Sequence, residues 1–397
     1  MDQSTTMTRE KVRNYIHDDL TFSILSKLPL KSLKRFGCAC KSWSLLFENN
    51  HFMCIFRNNF ISNHHSYYDD TSLLLPISDK VFHSPYSDRF ENMVELDLPN
   101  SFLEENPHFG ILDSGSITGI LCLYSLNNDR IVFWNPITKE FKVIPPSPLE
   151  SVPPYQQFLI FLHGFGYDHV RDDYKLLRHV SYFPPSFGDC EYLGISYHDL
   201  PHEDIIHDSF WEIYSLRSNF WKKLDTSHDS CVRGSYLGER LYLDGKCNWW
   251  DYIDSDLPNV KSALASFDLA NEVFFTTLIP LDVPIDLADE YMFYHHLVEL
   301  CGFIALITWI IGTSTFDISI LYEVGVKESW TKLFIVGPLS CIERPIGTGK
   351  KGGIFFTKED GEIFLFNLST QKIEELGIQG IYSHVLFYRK NLLSFGG

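Results

Sequence analysis

Six short segments of this chain share one pattern: an aromatic residue, a polar turn, and a second bulky residue seven or eight positions on. They are Trp134–Phe141, Tyr167–Tyr174, Tyr214–Trp221, Phe267–Phe274, Tyr322–Trp330 and Phe366–Ile373, the last closing on an isoleucine. Each reads as a β-hairpin: a strand ends, polar residues turn the chain, and a returning strand opens on a bulky side chain. The hairpins recur at intervals of roughly 33 to 55 residues, about the spacing at which four-stranded propeller blades repeat. A lone blade cannot bury both of its faces. Stacked radially, blades bury their aromatics between neighbours and leave only short edges. Two packed sheets in a β-sandwich would use the same hairpins, and the spacing alone leaves that alternative open.

Upstream of about residue 60 the period changes. Leu20, Ile24, Leu25 and Leu28 lie at helical spacing, which predicts a helix over 19–28 with one apolar face. Asp18 and Asp19 stand at its start, where a carboxylate caps free N–H groups and meets the positive end of the helix dipole. Pro29 stops it. Lys31-Ser32-Leu33 opens a second helix, along which Leu33, Phe36, Cys40, Trp43 and Leu46 recur every three or four residues, and a third runs from Asn50 to Phe60. Three short helices with this much apolar surface form a binding surface more readily than a free-standing domain. Residues 61–72 are polar and aperiodic and mark a linker. The expected organisation is a helical module at 10–60, a linker at 61–72 and an all-β domain at 73–397.

Charge divides the same way. The chain carries 33 basic and 51 acidic side chains, net −18. Residues 1–60 hold nine basic and five acidic ones, so the remainder holds 24 and 46. A nucleic-acid binder would show the opposite sign on its large domain, so no nucleic-acid partner is expected. The basic end suits an acidic partner, and the acidic remainder a basic or neutral one. Nine scattered cysteines include no Cys-x-x-Cys pair, which argues against zinc ribbons and thioredoxin-type sites. There is no secretory signal pattern, and the longest apolar run, Leu300 to Ile311, is about half of a bilayer span. A reducing cytoplasmic or nuclear setting, with no membrane partner, is the expectation.

Enzyme signatures are weak. His-Glu-x-x-His and Gly-x-Ser-x-Gly are absent. Gly347-Thr-Gly-Lys-Lys-Gly-Gly353 lacks the Gly-Lys-Ser/Thr ending of a phosphate loop and precedes Ile354-Phe-Phe, so it reads as a turn between strands. His198, His202 and His207 lie among acids, but their irregular spacing and Pro201 argue against a metal site. No catalytic residue, metal or cofactor is expected.

The order of residue types goes further. Leu28-Pro29-x-Lys31-Ser32-Leu33-x-Arg35-Phe36, then Cys40-Lys41-Ser42-Trp43-x-x-Leu46, closely resembles the plant F-box. It departs from that pattern at Ile16-His17, where the family has Leu-Pro, at Ser23, commonly acidic, and at Ala39, commonly valine. Gly115-Ser-Ile-Thr-Gly119, Phe133-Trp-Asn-Pro136, Phe165-Gly-Tyr-Asp168 with Asp173-Tyr-Lys175, Ser266-Phe-Asp-Leu269 and Val326-Lys-Glu-Ser-Trp-Thr-Lys332 resemble the F-box-associated domain, related to kelch-type propellers. That family includes the S-locus F-box proteins of pollen, and nothing in the sequence places this chain among them. The resemblance implies a small helical F-box followed by a β-propeller-like domain: a non-catalytic substrate-recognition subunit of a Skp–cullin–F-box ubiquitin ligase. Its partners would be a Skp-family adaptor, through it a cullin-RING ligase, and an unknown target protein. The adaptor would be held by Ile16, Leu20, Ile24, Leu25, Leu28, Pro29, Leu33, Phe36, Cys40, Trp43 and Leu46.

Target recognition in a propeller falls on loops held by rigid blades. The longest irregular stretches here are 181–193, 198–210, 250–261 and 283–292. Tyr182, Phe183, Phe187, Tyr192, Tyr252 and Tyr291, beside acids such as Asp189, Asp254 and Asp289, are the candidate anchors. Two other functions would fit a propeller: a binding module that degrades nothing, and a hydrolase or lyase.

Overall fold

The computed structural model describes residues 18–28, 30–39, 43, 45–63, 71–85, 87–99, 109–125, 130–148, 157–183, 209–225, 239–253, 261–280, 293–310, 313–380 and 384–390. The chain forms two compact units, Met1–Ser62 and Asn63–Gly397.

The first unit is helical. Helix α1 (Asp18–Leu25) ends in a turn before Pro29, and α2 (Leu30–Ala39) follows. Of the Leu33-to-Leu46 stripe, Leu33 and Phe36 lie on α2, Trp43 is helical, and Leu46 lies on a separate 3-10 turn, Leu46–Glu48. Asn49 is extended, and its Oδ1 accepts the Phe52 N–H at 2.9 Å, which caps α3 (Asn50–Asn63). Phe52, Met53, Phe56 and Phe60 line the buried face of α3, with the Phe52 and Phe56 rings stacked at 6.0 Å. The expected linker is therefore shorter at both ends. The aromatic stripe carries the helix to Asn63. At the other end Thr71 and Ser72, polar as they are, pair in a strand with Arg389 and Tyr388.

The second unit holds six four-stranded antiparallel sheets, which excludes a sandwich. Blade one is β4 (Phe109–Ile111), β5 (Leu121–Ser125), β6 (Ile131–Trp134) and β7 (Phe141–Val143). Blade two is β8 (Gln157–Asp168), β9 (Asp173–Phe183), β10 (Ser209–Ser215) and β11 (Phe220–Lys223). Blade three is β12 (Arg240–Leu243), β13 (Lys246–Ile253), β14 (Lys261–Asp268) and β15 (Val273–Leu278). Blade four is β16 (Phe293–Leu300), β17 (Phe303–Ile310), β18 (Phe316–Leu321) and β19 (Trp330–Val336). Blade five is β20 (Ile342–Thr348), β21 (Gly353–Lys358), β22 (Glu362–Asn367) and β23 (Lys372–Gln379). Blade six closes the ring. Its innermost strand is the last of the chain, β24 (Leu386–Arg389), paired to β1 (Thr71–Ile77), then β2 (Lys80–Ser84) and β3 (Val94–Glu95). The described part of the Leu300–Ile311 run is a strand end, a turn at Cys301-Gly302 and a second strand to Ile310.

Five of the six sequence hairpins end on directly paired residues: Trp134↔Phe141, Tyr167↔Tyr174, Tyr214↔Trp221, Phe267↔Phe274 and Phe366↔Ile373. After Tyr214 the Ser215 hydroxyl accepts the Ser218 N–H at 3.1 Å, and the other four turns share one chemistry. A carboxylate or amide at the strand end accepts the N–H groups two and three residues on. Asp268 Oδ1 takes Ala270 and Asn271 at 2.9 Å each, Asn367 Oδ1 takes Ser369 and Thr370 at 3.0 and 2.9 Å, and Asn135 and Asp168 do the same. A left-handed residue then closes each turn: Lys139, Asp172, Asn219, Glu272 or Gln371. The sixth hairpin differs. Leu321, not Tyr322, faces Trp330, because a 3-10 turn at Lys327–Ser329 takes up the extra length. Two of the hairpins, at Tyr167 and Tyr214, belong to the same blade.

Side chains alternate between the two flanking interfaces of each blade, so both faces are apolar. Leu73 and Leu75 pack toward blade five with Phe355 and Ile363, while Leu74 packs toward blade one with Leu121 and Trp134. Leu176 and Leu177 split likewise between blades one and three. Buried ion pairs reinforce two joints. Arg178 holds Glu212 through Nε and Nη2 at 2.9 and 2.7 Å, and Ser147 Oγ donates to the other carboxylate oxygen at 2.7 Å. Lys175 Nζ reaches Asp168 at 2.9 Å, and across the joint to blade three it reaches Glu272 at 3.2 Å and the Leu269 carbonyl at 2.8 Å. No helix among the described residues is long and apolar enough to cross a membrane.

Candidate functional site

The helical unit sorts the expected adaptor anchors into two sets. Leu25, Leu33 and Leu46 are buried, at 5%, 0% and 3% exposure, so they hold structure and are not presented to a partner. Leu20 and Ile24, one helical turn apart on α1, are 60% and 58% exposed. Phe36 on α2 is 40% exposed, its ring 5.7 Å from that of half-buried Trp43. Leu28 is half-buried, and Leu45, which the sequence reading passed over, is 55% exposed. Ile16, Pro29 and Cys40 lie outside the described residues. A helix of α1's length that leaves two branched aliphatics in water has an unpartnered apolar face.

The propeller offers two unlike faces. Strands alternate in direction, so the first-to-second and third-to-fourth turns of every blade share one face. Five of these are tight, Asp168 to Asp173, Leu243 to Lys246, Asp268 to Val273, Leu300 to Phe303 and Asn367 to Lys372, while Ser84 to Val94 and Ile111 to Leu121 are longer. The opposite face receives the long connections, from Phe183 to Ser209, Lys223 to Arg240, Ile253 to Lys261 and Leu278 to Phe293. The strand ends that flank all four irregular stretches singled out from sequence lie on that face. Of the six aromatics named there, Phe187, Tyr192 and Tyr291 lie outside the described residues. Tyr182 is not an exposed anchor. It sits within β9, half-buried, with its ring 5.9 Å from Phe210 at the edge of the core between blades one and two. Tyr252 is a strand residue of β13, paired with Ser262, and Phe183 ends β9. Both strands outrun the sequence reading because they pair along their full length with their neighbours.

The same face carries an aromatic pair the sequence reading missed. Tyr294, at the start of β16, stacks on Trp309, its cross-strand partner near the end of β17, with centroids 5.3 Å apart and planes at 26°. Tyr294 is 50% exposed, and Ile335, near the end of β19, is 58% exposed. The two aromatics were legible only as a cross-strand pair, which needs the register.

A cavity of about 290 Å³ lies where the innermost strands of the blades converge. Glu239 and Arg240 at β12, His296 and Glu299 on β16, His384 before β24 and Asp113 after β4 are among its walls. Burial opposes ionisation of Glu239, yet His296 Nδ1 at 2.6 Å and the Leu297 N–H at 3.4 Å hold its carboxyl below the ordinary value. The Gly347–Gly353 segment is the expected turn between β20 and β21. The anion it receives is the protein's own: Asp88 accepts the N–H groups of Lys350 and Lys351 at 3.2 and 3.4 Å. His198, His202 and His207 lie outside the described residues, and among those described no cluster of three or more metal-ligating side chains occurs. Cys122, Cys247 and Cys301 are free thiols whose ionisation burial suppresses.

Residues 16–54 match the F-box domain family, and residues 84–387 match the F-box associated beta propeller domain family. Three Arabidopsis thaliana proteins illustrate the likeness. F-box/kelch-repeat protein At3g23880 is 23% identical over 81% of this chain and 80% of its own length. F-box protein At3g07870 is 25% identical over 88% and 82%, and F-box protein CPR1 is 27% identical over 67% and 63%. A further Arabidopsis relative, at 30% identity, aligns over 48% of this chain, which spans 50% of that protein's length.

Proposed function

Because the chain belongs to the family of F-box proteins that carry an F-box associated β-propeller, we propose that it is a substrate receptor of a Skp–cullin–F-box ubiquitin ligase. The helical unit docks a Skp-family adaptor, with Leu20, Ile24 and Phe36 as anchors. The propeller holds a target protein on the face of long connections, where Tyr294 and Trp309 supply an aromatic contact. The net negative charge beyond residue 60 favours a basic or neutral target. The chain makes and breaks no bonds. It raises the effective concentration of a target lysine at the ubiquitin-loaded enzyme, in the cytoplasm or nucleus.

The observation that carries this reading is the pair Leu20 and Ile24, left more than half exposed on a short helix inside the F-box match. Exposed branched aliphatics one turn apart are what a helix-binding groove takes up. The test is to express the full chain and a Leu20→Asp/Ile24→Asp variant in plant cells and compare captured proteins with and without proteasome inhibition. A target should accumulate on inhibition with the wild type, and should accumulate without inhibition when the variant replaces it. A captured partner whose level responds to neither would favour a binding role without degradation.

A further inference from the structure

The cavity at the propeller axis contains a charge that the packing of the blades does not use. Arg240 lines it, and its Nε is shut off from water with no hydrogen-bond partner. Among the described residues no carboxylate pairs with its guanidinium. Other arginines of this propeller are satisfied: Arg178 sits on Glu212, Arg171 on Asp168 and Arg89 on Glu374. A guanidinium does not shed its proton, and no described residue offers Nε an acceptor, so the cavity can supply one through a ligand.

The acceptor's character follows from what stands nearby. Asp113 shares the cavity wall, with one carboxylate oxygen 3.1 Å from His384 Nε2. Arg240 and Asp113 line the same cavity, and no ion pair joins them. Glu239, Asp244 and Glu299 add negative charge to the walls. A phosphate dianion at Arg240 would confront these carboxylates. A single carboxylate satisfies Arg240 bidentately, and a donor group on the next carbon turns Asp113 from a repulsive neighbour into an acceptor. The volume of about 290 Å³ lies at the small end of the range for small-molecule sites.

We propose that the axial cavity binds a small carboxylate bearing a hydroxyl or amino group on the adjacent carbon, with Arg240 holding the carboxylate and Asp113 the donor. This goes beyond the receptor role and does not depend on it.

The test is calorimetry and ligand-observed NMR on the full chain with L-malate, L-glutamate, propionate and inorganic phosphate. Malate or glutamate should bind with a dissociation constant in the low-millimolar range or tighter, at least about tenfold better than propionate or phosphate. Arg240→Gln should weaken that ligand at least about tenfold, with Arg240→Lys intermediate. Asp113→Asn should reduce the preference over propionate. Thermal melts establish that each variant is folded, and Arg240→Lys, which keeps the charge, serves if Arg240→Gln is not. The proposal is overturned if neither malate nor glutamate binds at about 50 mM, if phosphate binds as well as either, or if the Arg240 substitutions change nothing.

Discussion

Replacing Lys175 with methionine tests what holds blades two and three together. The ammonium is 4% exposed and touches Asp168, itself fully buried, as well as Glu272 and the Leu269 carbonyl. Methionine preserves length and packing but leaves Asp168 facing only Arg171, at 3.0 Å and half-exposed, and takes away a donor to the Leu269 carbonyl. Glu272 keeps Lys222 at 2.7 Å. Removing one member of a buried pair costs about 3–5 kcal/mol, mostly through the charge left behind. With Arg171 still present the lower end applies, so the expected loss is about 3 kcal/mol. Urea unfolding of the full chain, followed by tryptophan fluorescence, reads it. The second arm is Asp168→Asn. Asparagine performs the same turn-capping task at Asn135 and Asn367, so it removes the charge and keeps the turn. It should destabilise the wild type yet recover about 1–2 kcal/mol in the Lys175→Met background. A loss below about 1 kcal/mol for Lys175→Met, or an Asp168→Asn effect of the same sign in both backgrounds, would refute the reasoning.

Other expectations follow from single features. Burial pulls the imidazoles of His83, His179 and His295 down from 6.5 to about 4. Because the folded values are depressed, that stability is complete above about 6.5 and drains as pH falls toward 4. Unfolding free energy should drop by about 1 kcal/mol per histidine between about pH 7.5 and 5.5, and a flat profile would contradict it. Deleting the chain after Val385 removes β24, uncovers the edge of β1 and exposes Leu73 and Leu74, both fully buried. The truncated protein should lose its cooperative melt and become protease-sensitive, and an unchanged melting temperature would rule out closure by that strand. Lys139 holds a left-handed backbone, φ 60°, and its ion pair with Asp97 is exposed. Lys139→Gly should therefore stabilise the protein by about 0.5–1 kcal/mol in urea unfolding, and a destabilised variant would contradict the strain argument.

The propeller was legible in sequence because its hairpins are local. An aromatic, a turn-capping Asp or Asn and a returning bulky residue stand within eight positions, and the register reproduces that spacing. Blade six was not legible. Its β2–β3 connection is long, and its innermost strand comes from the far end of the chain. Periodicity likewise identified the apolar residues of α1 but not which of them a neighbour covers. Leu25 faces inward and Leu20 and Ile24 outward within one short helix. The axial cavity left no trace in sequence, since Asp113, Arg240, His296 and His384 come from four different blades and share no local spacing.

The central claim is that an exposed face of the helical unit docks a Skp-family adaptor. The most direct measurement is the affinity of the full chain for a purified plant Skp-family adaptor, beside Leu20→Asp/Ile24→Asp and, as a control, a propeller variant such as Lys139→Gly. The account predicts a one-to-one complex for the wild type and the control. For the double variant it predicts a loss of at least about 100-fold, since two anchors worth about 1.5–3 kcal/mol each are replaced by charges, with an unchanged thermal melt. A wild-type chain that does not bind, or a folded double variant that binds as tightly as the wild type, would contradict it.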